Sequence, residues 1–187
     1  MLRRSFLLTA WHSALLLPFA ALAWPRQALA MGGVMPELGS VAPSFQLDGF
    51  APPADPVTLS LSDFSGQWLV LYFYPRDFTS GCTLEAQSFQ KELQRFRQAG
   101  AAVVGISADT TESHSSFCSE EGLAFPLLSD PKGTVSQSYG SWIAPFSQRH
   151  TFLIGPDGVI RARWQAVRPL NHGREVLDEL LNLKKDS

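Results

Sequence analysis

The chain carries two cysteines, Cys82 and Cys118, and the residues ahead of the first are of the kinds that make a thiol reactive. Cys82 stands where the apolar segment Tyr72-Phe73-Tyr74-Pro75 hands over to a stretch of helical pattern. The first turn of a helix offers unpaired N–H groups and the positive end of its dipole, and both stabilise a thiolate. The thiolate is the nucleophilic form of cysteine. Thr79, three residues earlier, can place a hydroxyl beside the sulfur, while Pro75 holds the loop entry and shields a pocket from water. The spacing is Pro-x-x-x-Thr-x-x-Cys. Two cysteines in one chain can also form a structural disulfide, but these two stand in positions that suggest different tasks.

The elements that must position these residues are legible as alternating strands and helices. Residues 67–74, QWLVLYFY, form a continuous apolar run rich in β-branched and aromatic side chains, as expected of a strand covered on both faces. Pro75 stops it. A helix is predicted over 82–98, with Ala86, Phe89, Leu93 and Phe96 making one apolar stripe and Gly100 closing it. Residues 101–107 make a second buried strand, and Asp109 with Glu112 reads as a capping box opening the next helix. Residues 125–128 are short and apolar, Asp130-Pro131 reads as an N-cap with proline at the first helical position, and Gly140 ends that helix.

A hairpin follows, from 150–154 through the turn Gly155-Pro156-Asp157-Gly158 to 159–164. Asn171 is expected to cap a last helix whose Val176, Leu177, Leu180 and Leu181 face inward, with Lys184 and Lys185 near its negative end. The stretch 51–56, with three prolines, reads as an inserted loop. This order predicts an α/β domain over 31–187 with a thioredoxin-like fold: a central mixed sheet flanked by helices, its last strands antiparallel.

The 187 residues, 45% hydrophobic and 17% charged, describe one folded domain preceded by an address. Arg3 and Arg4 are followed by Ser5-Phe6-Leu7, a largely apolar stretch and the small-x-small site Ala28-Leu29-Ala30. The pattern resembles a twin-arginine export signal over 1–30, to be removed by cleavage, with periplasm or thylakoid lumen as the destination. A retained membrane anchor is the alternative, against which Pro18 and His12 interrupt the apolar run. Residues 1–30 hold three arginines and no acid, which leaves 12 basic against 17 acidic side chains in the remainder. Such an acidic domain has no electrostatic footprint for nucleic acid.

The segment YFYPRDFTSGCTLEA resembles the active-site segment of peroxiredoxins, nearest to the peroxiredoxin Q or bacterioferritin comigratory protein branch of the AhpC/TSA superfamily. The likeness runs through Ala42-Pro43-x-Phe45, FPLLSDPKG at 125–133, RHTFLIGPDG at 149–158 and residues 172–177. It implies that Cys82 is the peroxidatic cysteine, that Thr79 and Pro75 frame its pocket, and that Arg149 serves the thiolate and the charge developing on oxygen. The arginine has its own physical case, because a permanent charge at the start of a strand beside the helix favours a thiolate and polarises a peroxide bond. Glu85, one turn into the helix, matches a family position thought to orient such arginines.

The implied reaction is reduction of hydrogen peroxide or organic hydroperoxides, with Cys82 left as a sulfenic acid. Many members of the branch carry a second cysteine five residues after the first, and here that position is Gln87. Another subset carries its resolving cysteine where Cys118 stands, so a transient Cys82–Cys118 disulfide is expected. Forming it requires the first turn around Cys82 to unwind, since a disulfide needs Cα atoms within about 4.4–6.8 Å. Otherwise Cys118 is a small buried hydrophobe beside Phe117 and the protein works with one cysteine. The family implies a thioredoxin-like or small-thiol reductant and a monomer, with no cofactor.

His114, His150 and His172 do not make a metal-ligand spacing with Cys82. Trp142 is a candidate for the pocket mouth, and Tyr74, Phe78 and Phe146 for an apolar collar. A thioredoxin-like thiol-disulfide oxidoreductase needs Cys-x-x-Cys, and this chain offers Thr-x-x-Cys. A binding or chaperone module on the same fold has no use for the proline, threonine, cysteine and arginine together.

Overall fold

The computed structural model describes residues 33–53 and 55–185, so the export signal read over 1–30 lies outside the described residues. Among the described residues, no helix is long and apolar enough to cross a membrane. The strand read from QWLVLYFY is Trp68–Phe73 (β3), following β1 at Gln46–Ala51, β2 at Asp55–Ser60 and a short 3₁₀ turn at Leu61–Phe64. Then come α1 (Ser80–Gln98), β4 (Ala101–Ser107), α2 (Thr111–Glu121), β5 (Leu127–Ser129) and α3 (Thr134–Ser138). Two-residue strands β6 (Trp142–Ile143) and β7 (Phe146–Ser147) precede β8 (His150–Ile154), β9 (Ile160–Trp164) and α4 (His172–Leu183).

The main sheet is mixed, in the order β2-β1-β5-β4-β3-β8-β9. Strand β3 is interior, parallel to β4 and antiparallel to β8, which explains its unbroken apolar run. Its side chains alternate between two cores. Val70, Tyr72 and Tyr74 face the layer of α1 and α4 with Phe89, Phe96, Val176 and Leu177, while Leu69, Leu71 and Phe73 face Val104, Tyr139 and Phe152. The predicted stripe of α1 is buried as expected, and Cys82, Glu85 and Glu92 lie on the same buried face.

Four local readings are corrected. The stretch 51–56 is not an insertion: it holds the end of β1 and the start of β2, with Ala51 opposite Asp55 and Phe50 opposite Pro56; proline is tolerated there because β2 is an edge strand. Thr110, not Asp109, caps α2 by accepting from the Ser113 amide, since the Asp109 carboxylate is taken by Ser107 and the Asp77 amide. Helix α3 starts after Gly133, and Asp130 reaches forward to the amide and hydroxyl of Ser136 without being an N-cap. Asn171 precedes α4 in a left-handed conformation with no side-chain cap.

Candidate active site

Cys82 is the third residue of α1, two residues later in the helix than predicted, and only 1% exposed. Its helix is held from both sides. The Gly173 amide at the start of α4 donates to the Ser88 hydroxyl at 2.7 Å, and a Cβ on Gly173 would lie 2.3 Å from the Ser88 carbonyl oxygen, so only glycine allows this approach. Strand β8 runs antiparallel to β3 with His150 opposite Phe73, which delivers Arg149 to the end of β3 where the loop to Cys82 begins.

Arg149 Nη2 donates to Cys82 Sγ at 3.3 Å, and Nη1 donates to Glu85 Oε2. The Arg149 side chain is 17% exposed and the Glu85 side chain is fully buried. Burial pushes the Glu85 carboxyl up to about 7, with Arg149 pulling against that rise. Burial also opposes the charge on Arg149, but Glu85 and Cys82 outweigh it and hold the guanidinium above its usual range. A permanent cation is therefore fixed against the sulfur by a carboxyl that titrates near neutrality. Glu85 Oε1 has no partner.

Gly81 is a site residue that the sequence reading passed over. A Cβ there would sit 3.2 Å from Arg149 Nη2, so the bare backbone lets the guanidinium lie across the first turn. Thr79 is the exposed N-cap; its hydroxyl donates to the Arg76 carbonyl at 3.0 Å, which leaves its lone pairs open to a donor. Pro75 is half-buried at the end of β3.

Of the aromatic candidates, Phe78 is 48% exposed, has φ 59° and meets Phe117 edge-on. Tyr74 is buried, its hydroxyl given to Asp77, and so is not part of a collar. Phe146 is exposed on β7, and Trp142 lies over Gly133. Among the described residues, no group of His, Cys, Asp and Glu could hold a metal ion.

Cys118 is in α2, also a free thiol, and 2% exposed. Burial, with Asp77 nearby, pushes its thiol up to about 12. Burial thus favours its neutral thiol, whereas Cys82 has a cation at its sulfur. The two cysteines are thus built for different work.

The model of the AhpC/TSA family matches residues 38–163. The chain belongs to the AhpC/TSA family of peroxiredoxins. This peroxiredoxin is 38% identical over 130 residues to peroxiredoxin Bcp of Xanthomonas campestris, an alignment covering 65% of this chain and 81% of that protein. The solved structure of a cysteine-to-serine mutant of Xylella fastidiosa PrxQ aligns with a TM-score of 0.71 at 31% identity, over 80% of this chain and 99% of that one. A structure of the X. campestris bacterioferritin comigratory protein, solved to explain its alkyl peroxide reduction, aligns at 0.66 and 33% identity, over 68% and 87%. This peroxiredoxin is accordingly a thiol-dependent peroxidase with a thioredoxin-like fold.

Proposed function

We propose that the Cys82 thiolate reduces hydrogen peroxide and alkyl hydroperoxides, and that Cys118 resolves the product. The contact that carries this reading is Arg149 Nη2 on Cys82 Sγ at 3.3 Å, backed by Glu85. The thiolate attacks the terminal peroxide oxygen, the O–O bond breaks, and the leaving oxygen departs as water or an alcohol once protonated. The sulfur gains the oxygen as a sulfenic acid. Arg149 is placed to polarise the O–O bond, and the Thr79 hydroxyl, its own proton committed to Arg76, can accept from the peroxide O–H. The Cys118 thiol then displaces water from the sulfenic acid, forming a disulfide.

A one-cysteine cycle is the second reading, favoured by the burial of Cys118. Intact mass after one equivalent of peroxide separates the two: a Cys82–Cys118 crosslink supports the first, and an oxygen on Cys82 with Cys118 free supports the second. The parent reading is tested by Cys82→Ser, which should abolish rapid peroxide loss. Persistence of that activity in the variant would end it.

We further propose a thioredoxin-like or small-thiol reductant, a monomeric state, and export of residues 31–187 after removal of the twin-arginine signal. The support for export is Arg3-Arg4 with the Ala28-Leu29-Ala30 site. The N-terminal sequence of the exported protein and its size-exclusion mass test these points.

A further inference from the structure

A buried carboxylate outside the peroxide pocket ties the two cysteine-bearing elements together. Asp77, 4% exposed, lies in the loop between β3 and α1. Its Oδ1 accepts from the Tyr74 hydroxyl at 2.7 Å. Its Oδ2 accepts from the Ser113 hydroxyl at 2.7 Å and faces His114 Nδ1 at 2.9 Å, both on α2. The Asp77 amide donates to Asp109 Oδ2 at 2.9 Å, just ahead of α2. His114 is fully buried with no partner at Nε2, and its Nδ1, besides facing Asp77, lies 3.4 Å from the Tyr74 hydroxyl.

A second attachment lies past Cys82. Gln87 Nε2 donates to the Glu121 carbonyl at 2.6 Å, and Gln90 Oε1 accepts from the Ala124 amide at 2.9 Å. From Gln87 onward, α1 is therefore pinned to the end of α2. The segment that must unwind, itself tied to Arg149 through Cys82 and Glu85, is bounded by Asp77 on one side and Gln87 on the other. A helical residue advances about 1.5 Å and an extended one about 3.4 Å, so unwinding residues 82–86 extends the reach of Cys82 by roughly 9 Å. Phe78, held at φ 59°, leaves a conformation that an aromatic residue rarely adopts.

We propose that Asp77 is a releasable clasp: its bonds to Ser113 and His114 hold the Cys82 loop closed on α2, and their release sets the rate of disulfide formation. Gln87 acts as the hinge that stops the unwinding. This rests on the reading of Cys118 as the resolving thiol. In the closed state a sulfenic acid on Cys82 waits in its pocket, where a second peroxide can convert it to a sulfinic acid and release water or alcohol. In the open state it meets the Cys118 thiol, and the disulfide forms with loss of water. Asp77 is thus a positioning residue that partitions the sulfenic acid between repair and overoxidation.

The test is Asp77→Asn, in which one amide oxygen replaces two carboxylate acceptors. Charge-assisted hydrogen bonds are strong enough that their loss should speed disulfide formation about tenfold and lower the sulfinic fraction at high peroxide, read by quenched-flow intact mass. Ser113→Ala should move both readouts the same way by a few-fold, Ser113→Thr should restore them, and both variants remove too little to unfold the domain. Hydrogen exchange is measured in parallel on the reduced Cys118→Ser protein, with and without Asp77→Asn. Faster exchange confined to residues 77–86, with 88–98 unchanged, supports the clasp whether or not Cys118 resolves. Unchanged exchange at 77–86, or a disulfide rate unmoved by Ser113→Ala and Asp77→Asn, overturns it. A wild-type chain that forms no Cys82–Cys118 disulfide overturns the resolving role instead, and leaves the clasp to the exchange data.

Discussion

Replacing Arg149 by alanine removes the cation that donates to the sulfur. A unit charge 3.3 Å from the thiolate, at the effective dielectric of about 20 that suits such sites, is worth roughly 5 kcal/mol before solvent compensates. The arginine side chain is 17% exposed, so water replaces part of that interaction. Removing a single donor to a developing oxyanion typically costs about 2.7–4 kcal/mol, or roughly 10²–10³ in rate, and Arg149→Ala should fall in that range. The fold should survive. Glu85, already pushed up to about 7 with the arginine present, takes a proton when it is gone and does not remain as a buried anion. Arg149→Lys should lose about tenfold, because one ammonium cannot serve Glu85 and Cys82 with separate arms. The assay is stopped-flow peroxide consumption under pseudo-first-order conditions at pH 7, with the melting temperature as a control. A loss of less than fivefold in Arg149→Ala, with the protein folded, would refute the assignment of Arg149 to the transition state.

Glu85 makes stability depend on pH, with a sign that follows from its raised carboxyl. A group held at about 7 in the fold against an ordinary 4.5 contributes stability that is fully present below pH 4.5 and is lost as pH rises through 7. Glu85→Gln should therefore gain on the wild type by about 3 kcal/mol between those limits, read by urea unfolding, while losing about tenfold in peroxidase rate as Arg149 loosens. A pH-independent difference between the two proteins would contradict this. Gly81→Ala separates stability from activity: it should gain up to about 1 kcal/mol of helix propensity. Its new Cβ, 3.2 Å from Arg149 Nη2, should displace the guanidinium and slow the reaction several-fold. Equal or faster turnover would show that the glycine does not serve the arginine.

The sequence alone was enough to place Cys82 in the first turn of α1, because a strand of continuous apolar residues followed by an amphipathic stripe leaves little choice about where it must stand. Arg149 was legible through the hairpin that follows it, since hairpin chemistry is local. What escaped were contacts that depend on which residues the chain brings together from afar. Asp109 looked like a helix cap because the pattern Asp-x-x-Glu is local, yet its carboxylate is taken by an amide 32 residues away, and Thr110 caps instead. The hairpin at the start was read as an inserted loop because its three prolines hide a strand that only an edge position tolerates.

Residue types, spacing and hydrophobic period determined the elements, the place of Cys82 at a helix start and the kind of chemistry, since each follows from interactions within a few residues or one helical turn. Only the tertiary structure decided which carboxyl backs the arginine, why position 81 is glycine, and how Asp77 joins the two cysteine-bearing segments. Those are matters of burial and of distances between residues 30 to 70 positions apart. Neither propensity nor period carries that information, and the packing of β8 and α2 around α1 supplies it.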